Sequence, residues 1–432
     1  MTGITVREHA LLTLEPVTPS LDRAQVSPSA FDWLCELSAS FKKNGASLVQ
    51  RNGQRSLRLD NYVGVVETPC GTRLEILPKH RLRDDCLKES RGLLQKMIQV
   101  ALDLPVRQAG PASLERFDTP TPEWVMRQFL QALDHLVKRG MRSDYRTVEA
   151  QEPFLRGQLN VVAQMRQQPG REHLFQIRHD AFQPDGAENR LLSKALERVC
   201  EHTRDPDNWR MAHELRHLLH EVPASTNIPQ DFKRWRTDRL MTHYTPIKPW
   251  CELILGELSP LSVHGNWHGI SVLFPMEKLF ERYLEAVLRR SLTSAARLTP
   301  QPARHSLCSH QGQPLFQLRP DFILEHEGVR WVLDAKWKLL DQTDRDNKYG
   351  LKQSDLYQLF AYGQRYLEGK GDLVLVYPKH DRFTQALAPF YFTEDLRLWV
   401  VPFDLLTDQL ITPEQTGSGS ILRSEMSGML EI

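Results

Sequence analysis

Three charged residues stand among apolar residues in the last third of the chain: Asp321, Asp334 and Lys336. The stretch 317–338 has the pattern of two apolar strands around a Glu-Gly turn, which predicts a β-hairpin. A charged group that faces a core is costly unless something compensates it. Paired strands can bring Asp321 beside Asp334, and Lys336 shares a strand face with Asp334 because alternate side chains point the same way. These groups therefore either point at solvent or share a site that holds a cation.

A shared site of this kind would suit the hydrolysis of a phosphodiester. Two neighbouring carboxylates repel each other, so one of them binds a proton unless a divalent cation neutralises both. Hard oxygen ligands are typical of Mg²⁺, with Mn²⁺ as the alternative, and such a cation accepts a phosphate oxygen. The Lys336 amine could orient or help to deprotonate an attacking water and stabilise charge on the scissile phosphate. The pattern favours a metal-dependent nuclease, and a solvated or structural role for these residues is the alternative.

The elements around the hairpin predict an α/β domain. Upstream, Pro275 opens a helix whose wide apolar stripe includes Leu279, Phe280 and Tyr283. Downstream, "SDLYQLFAYGQRYL" has the pattern of a helix, and "GDLVLVYPK" and "LRLWVVPFDL" are apolar runs typical of strands. The order helix, strand, strand, helix, strand indicates an α/β layer with a central mixed sheet.

The 432-residue chain is long enough for several domains, and its regions differ in character, which predicts a multi-domain α/β protein. Residues 1–112 are expected to form a mixed α+β domain with β-hairpins, one of them around the turn Pro69–Thr72. Helical patterns dominate residues 113–262, a mostly helical middle domain whose arginines could contact DNA or simply be solvated. Residues 263–412 hold the charged hairpin, and residues 413–432 are expected to form a flexible tail.

Composition and charge exclude several classes of protein. The formal net charge is +1, so no global basic field indicates nucleic acid, and any such contact must come from local clusters. The six cysteines form no CxxC pair, which is typical of a reducing compartment. His305, Cys308 and His310 lie close in sequence, but a zinc site needs a fourth ligand, which favours a structural interpretation. No signal segment and no run of about 18 apolar residues is present, so we expect a cytoplasmic protein that binds no membrane.

Several motifs together resemble a known family. "RPDF" and "LDAKW" are similar to the PD-(D/E)XK nuclease signature, with Asp334 in an acidic position and Lys336 in the lysine position. Over about residues 60–380, the chain resembles the McrC family, the nuclease subunit of McrBC modification-dependent (type IV) restriction systems. The motifs that carry this resemblance are "YVGVVETPCGTRLEILPK", "LRGQL", "ENRLLSKAL", "MEKLFERYL", "RPDF", "LDAKWK" and "DLYQLFAYGQRY".

The resemblance implies a fold, an activity and partners. It implies a PD-(D/E)XK endonuclease domain in which Asp321, Asp334 and Lys336 are catalytic and the two aspartates bind Mg²⁺. The implied substrate is double-stranded DNA with methylcytosine, and one hairpin per chain means that a second copy is needed to cut both strands. The implied partner is an McrB-type AAA+ GTPase hexamer, which reads the modified base and whose GTP hydrolysis the docked N-terminal domain stimulates. This chain has no Walker A pattern, so nucleotide hydrolysis must come from the partner.

Three further residues are candidates for the site. Gln358 and Tyr362 match the Q-x-x-x-Y helix position of several nucleases of this fold and share a helix face. They either belong to the catalytic site, near DNA or a metal-bound water, or pack at the sheet edge. Glu281 is a candidate third metal ligand, with an exposed salt-bridged helix face as the alternative. The rival function is a non-catalytic subunit that activates a ring NTPase and has a degenerate nuclease fold, but the intact acidic pair and lysine argue against it.

Overall fold

The computed structural model describes residues 3–42, 48–81, 86–104, 119–168, 170–171, 173–236, 238–256 and 272–412. The chain divides into two compact units, one made of residues 1–121 with 271–432 and the other of residues 122–270. The predicted domain boundaries fall at or beside stretches outside the described residues and stay predictions, as does the tail 413–432.

The N-terminal part of the first unit contains two small sheets and two helices. In chain order its elements are β1 (Gly3–Arg7), β2 (Leu11–Thr13), β3 (Arg23–Gln25), α1 (Pro28–Lys42), β4 (Val49–Arg51), β5 (Ser56–Leu59), β6 (Tyr62–Glu67), β7 (Arg73–Leu77) and α2 (Leu87–Ala101). One sheet has the order β3-β2-β5-β4, and the other has the order β1-β7-β6-β11, where β11 is Val272–Pro275. The hairpin predicted around residues 69–72 is the antiparallel β6-β7 pair. Strand β11 therefore joins the N-terminal region to the start of the C-terminal one.

The second unit combines helices with one three-stranded sheet. Its elements are α3 (Thr121–Arg139), β8 (Asp144–Glu152), β9 (Gln158–Leu159), α4 (Val161–Met165), β10 (Phe175–Gln183), α5 (Ala187–His202), α6 (Pro206–Leu218), α7 (Ile228–Arg234) and α8 (Lys248–Leu255). The sheet is antiparallel in the order β8-β10-β9, and its two long strands were not predicted by the helical patterns of this region. No helix in the described part of the chain combines the length and apolarity that crossing a membrane would require.

The C-terminal part of the first unit contains the predicted α/β layer. After β11 its elements are α9 (Met276–Ser291), β12 (Arg297–Pro300), β13 (His305–His310), β14 (Gln313–Leu318), β15 (Phe322–His326), β16 (Val329–Ala335), α10 (Gln353–Tyr366), β17 (Gly371–Pro378), β18 (Phe390–Tyr391), β19 (Leu396–Asp404) and β20 (Gln409–Leu410). The main sheet has the order β12-β15-β16-β17-β19-β18, with β20 also paired to β19. Strands β15 and β16 are antiparallel, whereas β16, β17 and β19 are parallel, so the predicted mixed sheet is confirmed.

Helices cover both faces of this sheet. On one face Leu359 of α10 belongs to the same apolar cluster as Leu373 of β17. On the other face the ring of Phe280 on α9 lies 6.3 Å from that of Phe403 on β19. Strands that are buried on both faces carry apolar residues at every position, which explains why β17 and β19 are nearly continuous apolar runs.

Candidate active site

Asp321 lies immediately before β15 and is held across the hairpin. Its Oδ2 accepts a hydrogen bond from the backbone N of Ala335 at 2.7 Å. Its carbonyl oxygen accepts one from the backbone N of Gln301 at 2.8 Å. Because β15 and β16 are paired in antiparallel register, this end of the hairpin brings Asp321 beside the segment that contains Asp334, as the sequence predicted.

Asp334 lies near the carboxyl end of β16, between β15 and β17, and is 2 % exposed. Its Oδ2 is 2.6 Å from the Nζ of Lys336, so the two side chains share a face as expected from their spacing. Lys336 follows β16, and its backbone N donates to the carbonyl oxygen of Val376 at 2.9 Å. The sheet therefore holds the backbone of both residues.

Glu281, on α9, is a third carboxylate at this site and is 7 % exposed. Its Oε1 accepts a hydrogen bond from the Nε2 of Gln301 at 2.5 Å, and its Oε2 is 2.8 Å from the Nζ of Lys278. Gln301 also donates its backbone N–H to the carbonyl oxygen of Asp321. It therefore contacts both acidic residues, Glu281 through its side chain and Asp321 through its backbone. Glu281 is paired with a lysine of its own helix but is buried rather than exposed, and its role as a metal ligand stays a prediction.

Burial and mutual repulsion perturb the titration of this cluster. Burial, followed by the charges of Asp334 and Glu281, raises the pKa of Asp321 to about 7. Burial also raises the pKa of Asp334, against the opposing charge of Lys336. Burial lowers the pKa of Lys336, but attraction to the two aspartates outweighs it, and the pKa rises. Lys336 is thus a firmly protonated cation in this state, whereas burial favours the protonated form of the two aspartates beside it.

Gln358 and Tyr362 lie one turn apart on α10. The Nε2 of Gln358 donates to the Tyr362 hydroxyl at 2.5 Å, and this hydroxyl donates to the carbonyl oxygen of Arg319 at 2.9 Å. Burial, followed by the charge of Asp334, raises the pKa of Tyr362 to about 12. The buried tyrosine therefore fixes the loop that leads into Asp321, whereas Gln358 is exposed beside it.

The family of the chain follows from a comparison with known sequences. The model of the McrBC 5-methylcytosine restriction system component family matches residues 57–378, about three quarters of the chain. The chain belongs to this family. The matched range contains the β6-β7 hairpin and all six candidate site residues, and the resemblance to McrC inferred from the motifs is confirmed.

Solved structures of McrBC assemblies share the fold of this McrBC-family chain. One is the refined half-complex from the tetradecameric assembly of Thermococcus gammatolerans McrB AAA+ hexamers with bound McrC. Its matching chain is 20 % identical with a TM-score of 0.70, and the match covers 93 % of this chain and 95 % of that one. The cryo-EM structure of the Thermococcus gammatolerans McrBC complex matches at 22 % identity and a TM-score of 0.51, over 67 % of this chain and 88 % of that one. No curated protein matches the chain.

The acidic cluster of this McrBC-family chain fits a hard divalent cation by its chemistry. Ala335 occupies one oxygen of Asp321, and Lys336 occupies one oxygen of Asp334, which leaves the other oxygen of each carboxylate for a further ligand. Within the described ranges, no three His, Cys, Asp or Glu side chains are gathered in an arrangement ready for a metal ion, and both oxygens of Glu281 contact other residues, Gln301 and Lys278. Mg²⁺ needs only one or two protein carboxylates, because waters and substrate phosphate complete its coordination. The two aspartates meet that requirement.

Three further residues lie around the McrBC-family site. Gln301 donates hydrogen bonds to both Glu281 and Asp321. Asp355, in the first turn of α10, acts electrostatically on both Asp334 and Lys336. Trp337 donates its indole N–H to Glu8, 329 positions away in sequence. Trp337 and Asp355 lie within the motifs "LDAKWK" and "DLYQLFAYGQRY", but only the tertiary fold reveals their contacts, and Gln301 belongs to none of the motifs.

Proposed function

We propose that this chain is the nuclease subunit of an McrBC-like restriction or phage-defence complex. It would be a Mg²⁺-dependent endonuclease that hydrolyses phosphodiester bonds in methylcytosine-containing DNA. The observation that carries this proposal is the cluster of buried Asp334 with partly buried Asp321 and Lys336 beside the carboxyl end of β16. Neighbouring carboxylates that are partly shielded from solvent favour a compensating cation, and Mg²⁺ bound to a DNA phosphate would supply one.

Each residue of the cluster has a distinct task in this mechanism. Asp321 and Asp334 would hold the metal, and Asp321, with its pKa of about 7, would release its proton as the cation binds. When bound, Mg²⁺ polarises a phosphate oxygen and makes a bound water more acidic. Lys336 stays protonated, so it would stabilise negative charge that develops on the phosphate rather than act as a base. The 2.6 Å ion pair with Asp334 keeps the ammonium in place for that task.

The proposed partner is an McrB-type AAA+ GTPase hexamer. The Thermococcus half-complex contains McrB AAA+ hexamers with bound McrC, and its matching chain shares the fold of 93 % of this chain. By analogy, the N-terminal domain would dock into the ring and stimulate GTP hydrolysis, while the partner reads the modified cytosine. Each chain supplies one candidate site, so a double-strand break would need a second copy.

A second candidate is a non-catalytic activator of the ring NTPase. The observation that favours it is that Glu281 is engaged by its own partners, so no three-carboxylate metal site is assembled in the described residues. The two candidates make different predictions for DNA cleavage but the same prediction for stimulation of GTP turnover. Cleavage therefore distinguishes them.

The test combines the chain with its AAA+ partner, GTP, Mg²⁺ and a methylated plasmid. Wild type is compared with Asp334→Asn and with Asp372→Asn, a control at another buried aspartate of the same sheet, which binds Arg397. We expect Asp334→Asn to lose cleavage and keep GTP stimulation, while Asp372→Asn keeps both. Cleavage by Asp334→Asn would overturn the assignment of the metal ligand. A wild-type chain that raises GTP turnover without cutting DNA would establish the activator function instead.

A further inference from the structure

Glu8 joins the N-terminal sheet to the segment that carries the catalytic lysine. It follows β1 directly and is 1 % exposed. Its Oε1 accepts two hydrogen bonds, one from the indole Nε1 of Trp337 at 2.7 Å and one from the backbone N of Lys79 at 2.7 Å. Lys79 lies just beyond β7, the neighbour of β1 in the sheet. The carboxylate is therefore fixed to the N-terminal sheet on one side and to the nuclease region on the other.

Trp337 contacts both elements that supply charged residues to the candidate site. It is the residue after Lys336, so its backbone is continuous with the end of β16. Its buried ring packs edge-on against Phe280 of α9, with the ring centroids 5.3 Å apart. Phe280 directly precedes Glu281. The position of one indole therefore affects the placement of Lys336 and of Glu281.

The surroundings of Glu8 are unfavourable for a carboxylate that serves stability alone. Its second oxygen, Oε2, is buried and accepts no hydrogen bond from any residue in the described part of the chain. The ring of His9, the next residue in the chain, lies 3.8 Å from this oxygen. Burial, against the hydrogen bonds from Lys79 and Trp337, raises the pKa of Glu8 to about 7. A buried acid with one unsatisfied oxygen costs folding free energy, so its benefit must lie elsewhere.

We propose that Glu8 is a positioning residue for DNA cleavage, which acts through its hydrogen bond to Trp337 to fix the placement of Lys336. This inference rests on the nuclease function proposed above. It also deepens that function, because the N-terminal region that holds Glu8 is the one proposed to dock the AAA+ partner. A shift of β1 or of the segment around Lys79 on docking would reach the catalytic lysine through this bond.

The same sheet offers a matched control. The indole Nε1 of Trp399 donates to Oδ1 of Asp372 at 2.9 Å, and both side chains are buried. This second Trp–carboxylate pair joins β19 to β17 and flanks no candidate catalytic residue. Changing Trp399 to phenylalanine removes the same kind of hydrogen bond without touching the proposed connection.

The experiment measures cleavage of methylated plasmid by the complete complex of chain, AAA+ partner, GTP and Mg²⁺. We expect Glu8→Ala and Trp337→Phe each to lower kcat about tenfold. The KM for DNA and the partner's GTP turnover should stay within about twofold of wild type, because the change affects placement of a catalytic group and not binding. Glu8→Gln keeps an acceptor oxygen and should retain kcat, as should Trp399→Phe. The Glu8→Ala/Trp337→Phe double variant should be no slower than the slower single variant, because both remove the same bond.

The outcomes separate this inference from the proposed function. A wild-type complex that fails to cut overturns the nuclease function and this inference with it. A wild type that cuts, with Glu8→Ala and Trp337→Phe as fast as wild type, overturns the positioning role alone. Losses in Glu8→Gln as large as those in Glu8→Ala, or single-variant losses that multiply in the double variant, also overturn it. If Glu8→Ala does not fold, Trp337→Phe decides, because it keeps an aromatic ring against Phe280.

Discussion

Replacing Asp321 with asparagine should stabilise the metal-free protein above neutral pH while it abolishes cleavage. The pKa of Asp321 is about 7 in the folded chain, compared with an ordinary value of 3.8, because the group is buried beside other carboxylates. Between about pH 4 and about pH 7 the folded state therefore holds a proton that the unfolded chain has released. The free energy of unfolding falls as the pH rises through this window, because the folded state must then accommodate a buried negative charge.

The size of the effect follows from the two pKa values of this group. A tenfold change in a proton-binding constant is worth about 1.4 kcal/mol, so the difference between 3.8 and about 7 sets an upper limit of roughly 4 kcal/mol. Asparagine keeps an acceptor oxygen for the backbone N–H of Ala335 and carries no charge at any of these pH values. The Asp321→Asn protein should match wild type near pH 4 and exceed its stability by up to that limit near pH 8.

Urea denaturation with EDTA, followed at a series of pH values, measures this difference. Titrating groups that do not interact with Asp321, Glu8 among them, occur in both proteins and largely cancel when the two curves are subtracted. Adding Mg²⁺ should raise the stability of wild type at pH 8 and leave Asp321→Asn unchanged, because the variant lacks one metal ligand. Parallel pH profiles for the two proteins, or a variant less stable than wild type at pH 8, would refute the reasoning.

Three other changes test separate parts of the structure. Lys336→Met should reduce cleavage by about 100-fold or more, because it removes the cation beside the acidic pair. It should not weaken Mn²⁺ binding in calorimetry, because it removes no metal ligand. Undiminished cleavage would contradict the proposed role of Lys336. Glu75→Ala should lower the free energy of unfolding, measured by urea denaturation, by about 3–5 kcal/mol, because it removes the carboxylate that lies 2.6 Å from the buried guanidinium of Arg91. A loss below about 1 kcal/mol would show that the site relaxes. Gly64→Ala should lower the free energy of unfolding by more than about 2 kcal/mol and detach β11, because the residue has a φ of +123° and an added Cβ would lie 1.9 Å from the carbonyl oxygen of Val272. Gly3→Ala is the control and should be neutral, because nothing lies within 4 Å of its added Cβ. Equal thermal stability of the two variants would disprove this.

The core of the candidate site is predictable from sequence because it is local. Asp321, Asp334 and Lys336 lie on one hairpin, and strand periodicity alone places the last two on one face. The apolar runs of β17 and β19 and the stripe of α9 are strong signals because these elements are buried. The mixed sheet and its flanking helices follow from the order of such elements.

The parts that sequence patterns missed depend on exposure or on distance along the chain. The β13-β14 hairpin is exposed over most of its length, so it has no alternation of buried and exposed residues to detect. The long β8-β10 ribbon is likewise largely unburied. Gln301 and Glu8 reach the site through contacts with residues far from them in sequence, and neither belongs to a recognisable motif. Their contacts follow from tertiary packing, which a local pattern does not encode.

Anomalous diffraction from crystals soaked in Mn²⁺ tests most directly whether the acidic pair is a metal site. We expect a Mn²⁺ ion bound by carboxylate oxygens of both Asp321 and Asp334, with Lys336 beside it, and no ion there in Asp321→Asn crystals. A wild-type crystal in which Mn²⁺ binds elsewhere, while Lys336 alone neutralises Asp334, would contradict it.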